Sequence, residues 1–292
     1  MPLDCIRHLS AFLGCRRAGA VKDPKALLYF RSLALFCCDA SGLCFDEQDN
    51  VLVTMLSQNE VYLHDGRTGK HLKSIGSDLH AYPISCVTDK NGNLYVSEHY
   101  GGGVRLFNKE GLFIHRFKVS FPYQIALSPD ENVLFVACRT LLAFSTSSPY
   151  LLRESAADGN VQNYVSLAVL SSGQLVVGSD FSGTLDIYNA NLTFVRTLLT
   201  GGACMNPRSI AVDAADNIYV ANMAKHCVDI FSVDGKRIYK LGEFGKAFGW
   251  FENPKGVAIS STGVVAVSDQ KDVQLFRCCD LSSSSSSSSS SK

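Results

Sequence analysis

A repeat constrains this chain more than any other feature. Two apolar runs around a polar turn recur six times. The residue closing the first run falls at Asp46, Asp89, Ser128, Leu170, Asp213 and Ser260, at spacings of 43, 39, 42, 43 and 47. The clearest unit starts at Asn206-Pro207. Ser209–Asp213 is apolar, Ala214–Asp216 is a turn, and Asn217–Ala221 is a second run rich in β-branched and aromatic residues. Asn222–Cys227 is a polar loop, Val228–Phe231 alternates, Asp234-Gly235 is a hairpin signal, and Arg237–Leu241 reads as a fourth strand. Asn253-Pro254 then restarts the pattern. Four short strands at this period predict an all-β fold, a six-bladed β-propeller of four-stranded antiparallel blades.

The other blades follow the same register. Blade one reads LCFD, VLVTM, EVYLHD and HLKSIG; blade two reads SCVTD, NLYVSE, GVRLF and LFIHRF. Blade three (QIALS, VLFVA, LLAFS, YLLRE) and blade four (SLAVL, LVVGS, TLDIY, FVRTLL) are looser. Blade six stops after GVAIS, VVAVS and VQLFRC, one strand short, while the apolar segment Leu27–Phe36 has no blade of its own. An open sheet edge must be covered. Leu27–Phe36 is therefore expected to close the last blade by pairing with Val273–Arg277, burying Leu27, Leu28, Phe30, Leu33 and Leu35. A helix lying against the barrel is the alternative. The expected domains are an irregular segment over 1–24, the propeller over 25–280, and a Ser-rich tail over 281–292. The tail has too little apolar content to offset its ordering entropy and is expected to be disordered.

Composition narrows the function classes. Net charge is zero, so DNA or non-specific nucleic-acid binding gets no bulk support. No apolar run approaches the roughly 18 residues that span a bilayer. Eleven cysteines show no Cys-x-x-Cys spacing, and several sit in strand patterns. Reduced, buried thiols and a cytoplasmic location are expected. Asn191-Leu192-Thr193 fits a glycosylation acceptor, which matters only in a secreted chain, and no secretory signal is visible. Arg7, Arg16 and Arg17, opposed only by Asp4, give the first twenty residues a composition shared with mitochondrial transit peptides.

The Pro-x-x-Ile-Ala-Val-Asp start, the Asn-Ile-Tyr-Val-Ala second strand, the Val-x-Ile-Phe third strand and the Asp-Gly-Lys hairpin of blade five resemble an NHL repeat, the blade of a six-bladed propeller. The resemblance covers about residues 27–278. The family often has Asn-His-Arg-Val where this chain has Lys225-His226-Cys227-Val228 and Gly102-Gly103-Val104. The resemblance implies a non-enzymatic platform for protein or, alternatively, single-stranded RNA. Some relatives carry an amino-terminal zinc domain of a ubiquitin ligase. This chain lacks the spacing to build one, so a part in that pathway would be substrate binding.

Enzymatic readings find less in the residues. A zinc-dependent peptide-amidating lyase would hold its metal with histidines from inner strands. Of His8, His64, His71, His80, His99, His115 and His226, only His80 precedes an inner strand. A calcium-dependent lactonase would use carboxylates such as Asp46, Asp89 and Asp213. Their repeat position instead predicts turns in which each Asp binds its own backbone. No Gly-x-Ser-x-Gly, phosphate-loop or Gly-x-Gly-x-x-Gly pattern is present. No catalytic residue, metal or cofactor is expected.

The expected working surface is the face built by the strand-two-to-three loops and the interblade loops. Its candidate residues are His99, Tyr100, Arg139, Arg208, Lys225, His226, Trp250, Lys255 and Lys271, with Tyr82, Tyr123 and Phe248 on the same loops. Trp250, between Phe248 and Phe251, is the leading anchor, although packing the blade junction would equally account for it. Glu60, Glu98, Asp180, Asp269 and Asp272 outnumber the intrablade bases. Aromatics with mixed charge suit a protein or peptide partner. RNA read by stacking and a few placed bases is the alternative.

Overall fold

The computed structural model describes residues 27–33, 39–76, 82–148, 150–155, 163–200, 202, 204 and 206–278. The expectations for 1–24, His80, Leu35, Phe36 and the serine tail lie outside the described residues. Twenty-four strands form six four-stranded antiparallel sheets. Five blades run in chain order. In the sixth, the order outward is Gly256–Ile259, Val265–Ser268, Val273–Cys278 and then the N-terminal strand Leu27–Leu33. That strand pairs antiparallel from Leu27 opposite Cys278 to Leu33 opposite Val273, with a register shift between Tyr29 and Arg31. The ring is thus closed by a strand rather than a helix. Leu27 and Leu33 are buried and Phe30 is half-buried. Phe30 lies under the Arg277 guanidinium at 4.8 Å, and Ser32 Oγ donates to Asp272 at 2.7 Å.

Burial explains why the second strands read as continuous apolar runs. Val51–Met55, Leu94–Glu98, Leu175–Ser179 and Ile218–Asn222 are buried at every position, because each is covered on both faces by neighbouring blades. One apolar cluster fills each blade junction: blades 1 and 2, 2 and 3, 3 and 4, 4 and 5, 5 and 6, and 6 and 1. Five junctions are also stitched by a buried hydroxyl that donates to a carbonyl in or just before the next inner strand. Thr54 reaches Ile84, Ser97 reaches Tyr123, Ser166 reaches Pro207, Ser209 reaches Val257 and Ser268 reaches Ser41, at 3.4, 2.7, 2.7, 3.5 and 2.6 Å.

The inner-strand turns behave as the sequence predicts. Asp46 accepts from the Gln48 and Asn50 backbones, Asp89 from Asn91 and Asn93, and Asp213 from Ala215 and Asn217. A further pattern lies in the positive-φ position of these turns. It alternates around the ring as Asp49, Gly92, Glu131, Gly173, Asp216 and Gly263. Each acid reaches back to the turn of the preceding blade. Asp49 accepts from Ser261 N, Glu131 from Lys90 N and Asp216 from Ser171 N. Asp49 therefore also ties the closing junction between blades 6 and 1.

Candidate functional site

The inner strands all begin on one face. In four blades the residue before the leading proline has positive φ: Tyr82 at 52°, Phe121 at 51°, Asn206 at 60° and Asn253 at 60°. Asn tolerates this conformation through its short polar side chain, whereas for a bulky aromatic it is an outlier. Tyr82 lies at the mouth of the central channel, and Phe121 packs beside it against His99 and Tyr100. There the structure holds a cavity of about 330 Å³, lined by residues of blades 1, 2, 3, 5 and 6.

The wall formed by blades 2 and 3 is aromatic. Tyr82 meets Tyr100 edge to face at 5.2 Å. His99 lies 4.8 Å from Tyr100, 5.5 Å from Phe121 and 4.4 Å from Tyr123. His99 is fixed by its backbone N–H, which donates to the Tyr82 carbonyl at 3.1 Å, and by Nδ1 against the Pro122 carbonyl at 3.2 Å. Burial lowers the His99 pKa, the Pro122 contact opposes that shift, and the Arg208 charge adds to it. At neutral pH the ring is neutral.

The opposite wall is cationic. Arg208 of blade 5 and Lys255 of blade 6 line the cavity and are half-buried. Lys255 is paired with Asp39 at 3.4 Å. Arg208 has no hydrogen bond or ion pair among the described residues. Between the walls, Gln124 ties three blades across the channel. Its Nε2 donates to the Ile210 carbonyl at 2.7 Å, and its Oε1 accepts from Leu167 N at 3.2 Å and Ile210 N at 2.9 Å.

Four of the expected site residues, His99, Tyr100, Arg208 and Lys255, thus come together with Tyr82 and Tyr123. The others do not line the cavity. Lys225 donates to the Gly202 carbonyl at 2.7 Å. His226 accepts from Asn253 N at 3.2 Å and packs against Phe244 at 4.8 Å, so it anchors an interblade loop. Lys271 pairs with Glu252 at 3.6 Å, and Arg139 is an exposed loop residue. Trp250 is 46% exposed. Its carbonyl accepts from Gln274 and its ring lies against Gly245. Its neighbours are occupied: Phe251 is core and Phe248 stacks on Tyr29 at 4.7 Å. Glu98, expected on the loop face, is fully buried and salt-bridged to Arg105 and Arg116 at 3.0 and 2.8 Å.

Gln124 and Phe121 escaped the sequence reading, whereas Met223 lies in the expected loop Asn222–Cys227 without having been singled out. Phe121-Pro122 repeats Tyr82-Pro83 at the same blade position, and that signal could have found it. Gln124 bonds residues of two other blades, a pairing no local pattern announces. Among the described residues, no three His, Cys, Asp or Glu side chains are grouped so as to hold a metal ion.

No protein-family model matches the sequence, and no curated protein matches it. Solved structures do match. The chain is similar to a streptogramin B lyase, with a TM-score of 0.66 and 12% identity over 87% of this chain and 97% of that one. It is similar to the virginiamycin B lyase from Staphylococcus aureus, with a TM-score of 0.64 and 10% identity over 87% and 99%. A catalytically inactive form of the latter, with quinupristin, gives 0.65 and 10% over 87% and 100%. The likeness is one of fold.

Proposed function

We propose that the chain is a non-catalytic, NHL-like platform that binds a protein partner through the cavity at the channel mouth. The observation that carries this reading is the convergence of His99, Tyr100, Tyr82 and Tyr123 with Arg208 and Lys255 on one opening. Aromatic and Arg side chains around a pocket are the usual anchors of protein recognition. A rigid ring holds them in place before the partner arrives, which lowers the ordering cost of binding. The fold neighbours are lyases; in this chain no carboxylate lines the cavity beside His99, so the described lining offers no His–carboxylate pair. Cys44, Cys86, Cys138, Cys204 and Cys227 are buried free thiols, with the Cys44 and Cys86 sulfurs in contact at 3.1 Å, which fits a reducing compartment such as the cytoplasm. Binding a substrate for a ubiquitin ligase is one use such a platform would serve.

The test is capture of partners from lysate, with and without ribonuclease, by the parent, Tyr100→Ala and Trp250→Ala. Partners should resist ribonuclease. Tyr100→Ala should weaken capture by about 2 kcal/mol or more, and Trp250→Ala by less. Loss of all partners on ribonuclease treatment, with steep salt dependence, would assign the face to RNA instead.

A further inference from the structure

We infer that the cavity receives the carboxylate end of a peptide chain, with Arg208 binding the carboxylate and the Tyr82, Tyr100 and Phe121 rings holding the last side chains. This rests on the platform reading and names the chemistry of its ligand.

Charge is the first support. Among the cationic side chains at the opening, Lys255 is neutralised by Asp39, and burial keeps His99 neutral. Arg208 remains, half-buried and without an ion pair or hydrogen bond among the described residues. A partly desolvated guanidinium presents a rigid fork of N–H donors that matches a carboxylate with two parallel bonds. No acid in the lining competes for it.

Shape is the second support. The hole lies where the inner strands converge, and Gln124 crosses the channel between blades 3 and 5. An internal segment must enter and leave, which calls for a groove. A chain end needs one opening. A volume of about 330 Å³ is at the small end of ligand pockets, room for a chain end rather than an extended strand.

The rim is the third support. Tyr82, Tyr100 and Phe121 are 50%, 63% and 52% exposed, and they form an edge-to-face set opposite the cation. Two of them sit in a backbone conformation that aromatics avoid, where the other two blades use Asn. Such outliers persist where they serve a site. A nucleic-acid strand would need several free cations along its phosphates. Here Lys225 and Lys271 are already engaged.

The probe is a pooled, random octapeptide library made once with free C-terminal carboxylates and once as C-terminal amides. The full chain should retain the acid pool at least about tenfold better than the amide pool, the size expected for a hydrogen-bonded charge pair. Arg208→Gln should erase the preference. Arg208→Lys should restore part of it, because the charge returns without the fork. Equal retention of the two pools, no retention of the acid pool, or a preference that survives Arg208→Gln overturns the inference. So does retention of pooled single-stranded RNA octamers over both peptide pools. Equal retention that is lost with Tyr100→Ala would overturn the carboxylate assignment while leaving the platform reading standing. If Arg208→Gln fails to fold, the acid–amide comparison on the parent decides alone.

Discussion

Tyr82 and Phe121 hold φ at 52° and 51°, a region that costs a non-glycine residue roughly 1–3 kcal/mol. Asn206 and Asn253 take the same conformation at the same blade position with less strain. Tyr82→Asn and Phe121→Asn should therefore each raise stability, by about 0.5–1 kcal/mol, while weakening partner capture. Denaturant midpoints measured beside capture check this. A variant that loses stability and keeps its partners would show that the rings serve the fold rather than the site. At this scale, local chemistry was the legible part. Asp46, Asp89 and Asp213 bind backbone N–H groups two and four residues ahead, so their spacing to Asn and Gly announces the turn. The acids at Asp49, Glu131 and Asp216 occupy the same turns, but their partners are on another blade. Gln124 and Ile210 are 86 residues apart, and nothing within either segment marks the contact.

Strands carried the most readable signal. Second strands buried on both faces are mostly apolar, with satisfied polar exceptions such as Thr54, Ser97 and Glu98, and outer strands such as Phe194–Leu199, exposed along most of their length, alternate weakly. That contrast gave the blade register. Closure followed from a deficit: blade six had three strands, and an unplaced apolar segment lay at the other end of the chain. Within the described residues the closing strand runs Leu27–Leu33, with Leu27 and Leu33 buried. Each contributes about 1.5–3 kcal/mol, a large share of a domain's net stability of roughly 5–15 kcal/mol. The strand also bridges to blade 1, since Arg31 Nη1 donates to the Thr68 carbonyl at 2.6 Å. Deleting residues 1–36 should expose the Val273–Cys278 edge and abolish the single cooperative transition, as read by calorimetry. A truncated protein that melts like the parent would contradict the role assigned to this strand.

In the whole molecule, the six blades place their loops at opposite ends of one channel, and the two ends differ in kind. One end is built of turns whose carboxylates are spent on backbone N–H groups. The other gathers exposed rings around a cavity with Arg208, which has no ion pair among the described residues. The sequence placed six of the cavity residues, Tyr82, His99, Tyr100, Tyr123, Arg208 and Lys255, on loops of one end, because the repeat register fixes which loops share an end. It could not say that Lys225, His226 and Lys271 would be taken up by neighbours, since those contacts depend on loop conformation. A rival surface also exists at the outer edges of blades 2 and 3, where Phe113, Ile114, Leu151 and Leu152 are exposed. The claim that the channel mouth is the working surface is tested most directly by placing a photo-reactive phenylalanine analogue at one of three positions: Tyr100 at the mouth, Phe113 on the outer edge, or Ser172 in the opposite-end turn. The account predicts that irradiation in lysate links a partner from position 100, that Arg208→Gln in the same chain removes the link, and that positions 113 and 172 capture nothing comparable. A partner linked from position 113 or 172 and absent from position 100 would contradict it.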